Sequence, residues 1–166
     1  MTLQNIGEVN VRPATNEDRE KVTELVSRVL EEFGMALDTS ASDADLLDLE
    51  ATYLKTGGLF EVVEDGRGNL VGTVGVCPRA DAGTCTLRKM YVVAEARGLG
   101  LGRRLLERAL AGARQRGFRT MVLETASTMS AAIRLYTRAG FRPLEQAAAS
   151  PRCNQVYSLD MDTVEP

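Results

Sequence analysis

Three glycines alternate with leucines in the run Arg97-Gly98-Leu99-Gly100-Leu101-Gly102, and Arg103-Arg104 follow at once. The run lies between a strand-like segment and a stripe of apolar residues at helical spacing. Glycine lets backbone approach a ligand closely and take a positive φ. The first amides of a helix have no internal partner and sit at the positive end of its dipole. Such a turn can cradle an anion, and flanking arginines add charge of the right sign, so a phosphate-bearing ligand is the physical expectation. Two familiar phosphate loops do not fit. A Walker loop needs Lys and then Ser or Thr after its last glycine, where this chain has Arg103-Arg104. A dinucleotide fingerprint counted from Gly98 and Gly100 needs a third glycine where Arg103 stands.

The residues that are missing narrow the chemistry further. The chain has no histidine, which removes Ser-His-Asp and Cys-His nucleophile systems and every zinc site that needs an imidazole. The three cysteines, Cys77, Cys85 and Cys153, are an odd set without a C-x-x-C pair. They read as reduced thiols, with Cys77 and Cys85 as small buried apolar residues on strands, and no metal is expected.

The elements that must position the glycine turn follow from periodicity. Val9 to Arg12 alternates, and Pro13 ends it. Thr15 or Asn16 can cap a helix whose apolar face is Val22, Leu25, Val26, Val29, Leu30 and Phe33, ending at Gly34. Ser42 or Asp43 opens a second helix through Leu46, Leu47, Leu49 and Tyr53. Leu59 to Glu64 and Leu70 to Cys77 read as strands joined by the loop Asp65 to Asn69, and Thr84 to Val93 reads as a third. After the glycines a helix runs to about Arg116 with the stripe Leu101, Leu105, Leu106, Ala109, Leu110 and Ala113. Arg119 to Leu123 is a strand, Ser130 to Arg138 a helix stopped by Gly140, and Val156 to Met161 a last strand. Early helices, antiparallel strands and later strand-helix units predict an α/β chain (an α+β mixed sheet) with helices on both faces. At 166 residues it is one domain, 1–166, with a core from about 9 to 161.

The segment Met90-Tyr91-Val92-Val93-Ala94-Glu95-Ala96-Arg97-Gly98-Leu99-Gly100-Leu101-Gly102 resembles the acyl-CoA-binding signature of the GNAT superfamily of N-acyltransferases. Its core pattern [QR]-x-x-G-x-[GA] is met by Arg97, Gly100 and Gly102, while Ala94 stands where the family usually has proline. Ala132-Ile133-Arg134-Leu135-Tyr136-Thr137-Arg138-Ala139-Gly140-Phe141 is similar to the family's A-x-x-L-Y-x-x-x-G-F. Met129 stands seven residues before that tyrosine, where asparagine is often found. The resemblance runs in element order from about Val11 to Phe141. It implies a mostly antiparallel sheet of six to seven strands that splays between the fourth and the fifth, with acetyl-CoA in the gap.

The implied cofactor contacts are Met90, Tyr91, Val92, Arg97, Gly98, Leu99, Gly100, Leu101, Gly102, Arg103, Ala132 and Tyr136. The pyrophosphate would take the amides of Gly98 to Arg103. The Val92 amide would meet the thioester oxygen, and Tyr136 would act as general acid toward the departing thiolate. Phenol and thiol pKa values lie within about two units, so that transfer costs little. The acceptor would be a primary amine of a small molecule, amino acid or peptide, attacking directly in a ternary complex. Such an ammonium must lose a proton, and without histidine a carboxylate or a water relay must take it. Glu124, at the end of the fifth strand, is the first candidate; Glu31 and Glu32, at the end of the first helix, are the second. A non-catalytic acyl-CoA-sensing module is the alternative function, and a homodimer is among the arrangements the resemblance implies.

Charge bears on the partners. Residues 1–69 hold fifteen acids against six bases, net −9, and residues 70–166 hold eight against fourteen, net +6. Seven arginines lie between Arg97 and Arg119, with Glu107 as the one acid among them. The imbalance reads either as solvated faces of opposite sign or as an anionic ligand near the basic half and a cationic one near the acidic half. A chain with net charge −3 and 5% aromatic residues is not expected to bind nucleic acid. With no leader-like N-terminus and no run of about 18 apolar residues, a cytoplasmic location and no membrane contact are expected.

Overall fold

The computed structural model describes residues 7–164. The opening alternation forms β1 (Asn10–Pro13), and Thr15 then caps a 3₁₀ turn at Asn16–Asp18 through a reciprocal pair of bonds with Asp18. That turn leads into α1 (Arg19–Glu32). After a loop come β2 (Leu59–Glu64), β3 (Leu70–Pro78) and β4 (Thr84–Val92). A crossover through α2 (Leu101–Gln115) leads to β5 (Thr120–Thr125). The chain closes with α3 (Ser130–Arg138), the two-residue β6 (Arg142–Pro143) and β7 (Gln155–Asp160).

The seven strands form one sheet in the order β1-β2-β3-β4-β5-β7-β6. Every neighbouring pair is antiparallel except β4 and β5, which the α2 crossover makes parallel. That parallel ladder has only three rungs, Thr84 with Thr120, Cys85 with Met121 and Thr86 with Val122. Both strands continue, β4 to Val92 and β5 to Thr125, so the sheet opens beyond Thr86 and Val122. This is the mixed sheet that the periodicity predicts, with the split between the fourth and fifth strands that the resemblance implies.

Two apolar cores fix the split from opposite faces. On one, the predicted α2 stripe (Leu101, Leu105, Leu106, Ala109, Leu110, Ala113) is buried throughout, together with Val74, Val76, Leu87, Met121, Leu123, Tyr136 and Phe141. On the other, Val22, Val26 and Leu30 of α1 pack with Leu46, Leu49, Tyr53, Phe60 and Val62. Tyr53 and Phe60 meet edge to face at 4.9 Å between ring centroids.

Two local features depart from the sequence reading. The second helix is not continuous. It is a 3₁₀ turn at Ala44–Leu47 followed by a single π-helical turn at Glu50–Leu54. Asp48 between them is extended, and its carboxylate accepts from the Ala51 amide at 2.9 Å and from Asn16 at 2.9 Å. An aspartate that caps the next turn cannot also sit inside a helix. The two-residue β6 lies outside the strands that periodicity predicts.

Candidate active site at the sheet split

A bulge in β4 shapes one wall of the split. Between the pairs Gly75–Arg88 and Thr73–Tyr91, β4 has one residue more than β3. Lys89 absorbs it with φ +51°, and the Thr73 hydroxyl donates to the Lys89 carbonyl at 2.6 Å. Beyond the bulge the Val93 amide donates to the Val71 carbonyl at 3.0 Å. Peptide groups alternate sides along a strand, so the amide and carbonyl of Val92 face away from β3 into the split. The Val92 carbonyl there accepts from Arg97 Nε at 3.0 Å.

The glycine turn adopts the backbone its composition suggests. Gly98 and Gly100 have φ of +80° and +76°, a region L residues rarely enter, and Gly100 is the residue before α2. Among the described residues no side chain caps this end, and the first backbone bond into the helix runs from the Arg104 amide to the Gly100 carbonyl at 3.0 Å. The amides of Leu101, Gly102 and Arg103 therefore face outward without a backbone partner. A groove runs past them, walled by Met90, Tyr91, Val92, Arg97, Gly98, Gly100, Leu101, Gly102 and Arg103 on one side and by Met129, Ala132 and Leu135 on the other. Of the expected cofactor contacts, Leu99 points to solvent and does not wall this groove, and Tyr136 lies deeper, in the next cavity. Arg97 is a brace as well as a wall. Its guanidinium grips Glu32 at 2.7 and 3.3 Å and lies over the Phe33 ring.

A second cavity opens on the other side of β4. Its walls include Leu30, Met35, Ser42, Arg88, Lys89, Glu124, Ser150, Arg152, Cys153 and Tyr136. It shares Met90, Tyr91 and Met129 with the groove, so the two spaces meet at the split. Tyr136 is 6% exposed, and burial drives its phenol far above the usual range, with Tyr91 and Cys153 adding to the shift. Tyr91 is likewise pushed up to about 12 by burial. Both phenols therefore stay protonated at neutral pH.

The carboxylates expected as bases have other partners. Glu124 reaches this cavity, but its two oxygens accept the backbone amides of Ala149 and Ser150, the latter at 3.2 Å. It anchors the loop between β6 and β7. Glu32 holds Arg97, Glu31 accepts from the Ser27 hydroxyl at 3.2 Å, and neither lines the cavity.

Sequence reasoning missed a buried charge cluster. Asp43 is fully buried; Arg152 donates to it bidentately at 2.7 and 2.6 Å, and Lys89 Nζ lies 3.0 Å away. Lys89 also reaches Asp45 at 3.1 Å, and Asp45 accepts a short hydrogen bond from the Tyr53 hydroxyl. Burial opposes ionisation of Asp43, but Arg152, the Asp38 amide and Lys89 outweigh it and hold its pKa well below the usual carboxylate range. The signal lay in Arg88-Lys89: adjacent charges in a strand whose faces are both covered require a bulge and buried partners. The uneven charge of the two halves is largely resolved in the same way. Glu32 pairs with Arg97, Glu61 with Arg108, and Asp43 with Arg152, so acids of the first half meet bases of the second.

All three cysteines are free; Cys85 is buried, whereas Cys77 and Cys153 are half-buried. Among the described residues no helix is long and apolar enough to cross a membrane.

Known proteins share this architecture. The model of the acetyltransferase (GNAT) family matches residues 22–141. An uncharacterised N-acetyltransferase of Schizosaccharomyces pombe is 35% identical over 133 residues, which is 80% of this chain and 82% of that protein. YjgM, an uncharacterised N-acetyltransferase of Escherichia coli, is 32% identical over 141 residues, 82% of this chain and 84% of its own. Among solved structures, a GNAT-family acetyltransferase of Staphylococcus aureus superposes with a TM-score of 0.87 at 24% identity, over 93% of this chain and 99% of its own. The putative acetyltransferase yncA of Salmonella typhimurium, solved with its cofactor acetyl-CoA, superposes with a TM-score of 0.72 at 24% identity, over 95% and 96%. The split sheet, the left-handed glycine turn and the match across both motifs have one reading: the chain belongs to the GNAT family and is an acyltransferase.

Proposed function

We propose that this enzyme transfers an acetyl group from acetyl-CoA to a primary amine by direct attack in a ternary complex, in the cytoplasm. The observation that carries the reading is the meeting of two spaces at the β4–β5 split. A groove past unpartnered helix amides suits a pyrophosphate and a pantetheine arm, and it ends at a cavity walled by the buried phenol of Tyr136. The acetyl-CoA complex of the Salmonella typhimurium protein, which shares the fold, supports the same assignment of the groove.

In this mechanism the amine enters from the cavity side and its nitrogen attacks the thioester carbonyl carbon. The Val92 amide, turned into the split, donates to the carbonyl oxygen as it gains negative charge. A donor of that kind is worth about 3 to 4 kcal/mol to the transition state. Collapse breaks the carbon–sulfur bond, and the thiolate takes the Tyr136 proton. The attacking nitrogen gives up its proton to Glu124 or to water held beside it, because α1 keeps Glu31 and Glu32 outside the cavity. Met129, on both walls, supplies an apolar surface to the arm where asparagine is often found in the family.

The test is calorimetric titration with acetyl-CoA, followed by thiol release with a panel of amines. Binding together with acetylation of at least one amine is the expected result. Binding without turnover of any amine would favour an acyl-CoA sensor, and absence of binding would overturn the assignment.

A further inference from the structure

Arg88 and Glu124 occupy matching levels on the two diverging strands. Thr86 and Val122 form the last β4–β5 rung, and Arg88 and Glu124 each lie two residues beyond it. A step of two keeps a side chain on the same face, so both project to one side of the sheet, across the opening. Both also wall the same cavity.

Arg88 is the surplus cation of the buried cluster. Three cations, Arg88, Lys89 and Arg152, stand against two anions, Asp43 and Asp45. Asp43 is filled by Arg152 and Lys89, and Asp45 by Lys89 and the Tyr53 hydroxyl. Arg88 contributes only Nη2, at 3.4 Å to Asp45 and 3.2 Å to the Ser42 carbonyl. Its Nε and Nη1 make no hydrogen bond among the described residues, and its side chain is 34% exposed on the cavity wall. A guanidinium with Nε and Nη1 to spare, lodged in a cleft, is suited to an anion such as a carboxylate, which can take one charge-assisted bond from either nitrogen. On the opposite wall Glu124 offers negative charge beside the thioester position. The buried Ser150 hydroxyl adds a polar atom to the same cavity.

We infer that the acceptor is a free amino acid, its carboxylate held by Arg88 and its amino group presented on the Glu124 side of the split. This rests on the acetyltransferase reading above and names its substrate class. It also changes what the acidic first half of the chain implies. The first-half acids beside this cavity, Asp43 and Asp45, are already paired, which leaves Arg88 on one wall and Glu124 on the other.

The experiment compares amino acids with their carboxamides and with the corresponding decarboxylated amines, by thiol release from acetyl-CoA. The wild-type protein should favour an amino acid over its carboxamide by about tenfold or more in kcat/KM, or about 1.4 kcal/mol, with the difference mainly in KM. In Arg88→Met that ratio should collapse toward one, and Arg88→Lys should restore part of it. The KM for acetyl-CoA should move in neither variant. The inference is overturned if carboxamides or simple amines match the amino acids in the wild-type protein, a comparison that needs no folded variant. It is overturned too if Arg88→Met leaves the ratio intact. Acetylation of amines without a carboxylate preference would remove this inference and leave the acetyltransferase reading standing. Failure to bind acetyl-CoA would remove both.

Discussion

Arg152 grips Asp43 with two hydrogen bonds, at 2.7 and 2.6 Å, across 109 residues of sequence. The pair joins the loop before β7 to the segment after α1, the two irregular stretches that wall the inner cavity. Asp43 has no exposure and Lys89 is its second cationic neighbour, so Arg152 pairs with this carboxylate alone while Lys89 shares itself with Asp45. Asp43→Ala strands Arg152 in a largely buried setting and leaves Lys89 with Asp45 alone. Breaking a buried pair from one side costs about 3 to 5 kcal/mol, and denaturant unfolding should show a loss of that order. Removing Lys89 leaves Asp43 its bidentate partner, so Lys89→Met should cost clearly less. Equal losses from the two would mean that Asp43 is not the centre of the network.

Acid should unfold the protein through the same carboxylates. Asp43 is held well below the usual range by Arg152, the Asp38 amide and Lys89, against the opposing effect of burial. Asp18 is lowered by its hydrogen bonds from Arg12, again against burial. Each binds a proton less readily folded than unfolded, so stability is complete above the unfolded carboxylate value of about 4 and drains away below it. Urea midpoints should be level from neutral pH to about 5 and fall steeply beneath. Asp43→Asn should flatten the fall while lowering the plateau. An unchanged slope in that variant would remove Asp43 from the account.

The regular elements were legible because their signals are local. The α2 stripe is buried residue for residue, and Leu59–Glu64 and Ser130–Arg138 have the bounds that periodicity and flanking glycines assign. The glycine turn was legible as backbone chemistry, since Gly98 and Gly100 do take positive φ. What escaped depends on distant partners. The broken segment at Ala44–Leu54 follows from Asp48 bonding Asn16 and Ala51, and the loop at Ala149–Ser150 follows from Glu124. Arg88 and Lys89 are paired by Asp43 and Asp45, which only the fold brings over them. A pairing of that kind leaves no periodic trace in either segment.

Gly100 should matter for conformation first and for the ligand second. Its φ of +76° costs an L residue about 1 to 2 kcal/mol, while a Cβ there would meet no protein atom within 4 Å. Gly100→Val should therefore fold with a modest loss of stability and lose affinity for CoA by about tenfold or more, because the added branch would stand at the proposed phosphate site. Calorimetry on the folded variant decides it. Undiminished affinity would move the phosphate site away from this turn.

Tyr136→Phe removes one hydroxyl and keeps a ring packed 5.8 Å from that of Phe141. If the phenol protonates the leaving thiolate, kcat should fall by about 10² to 10⁴ with little change in the KM for acetyl-CoA, the pattern of an interaction made mainly in the transition state. Burial raises the phenol pKa, so the acid form persists and the alkaline limb of the wild-type profile should lie above the ordinary tyrosine value of about 10. A limb well below that, or full turnover in Tyr136→Phe, would reduce the residue to packing.

One substitution can separate the loop-anchoring role of Glu124 from its proposed role as base. Its oxygens hold the amides of Ala149 and Ser150, and its carboxylate also faces the cavity where the amine must lose a proton. Glu124→Gln keeps an acceptor for one amide and removes the capacity to take a proton. If Glu124 is the base, the variant should be slow at neutral pH, and the deficit should shrink as pH rises toward the pKa of the acceptor amine, where the nucleophile is already neutral. If Glu124 only anchors the loop, the deficit should be the same at every pH and should appear in the KM for the amine as the cavity loosens. A pH-rate series on both proteins, with one amine and saturating acetyl-CoA, distinguishes the two. A pH-independent deficit would return the proton to water, because no other cavity-lining residue offers a carboxylate among those described.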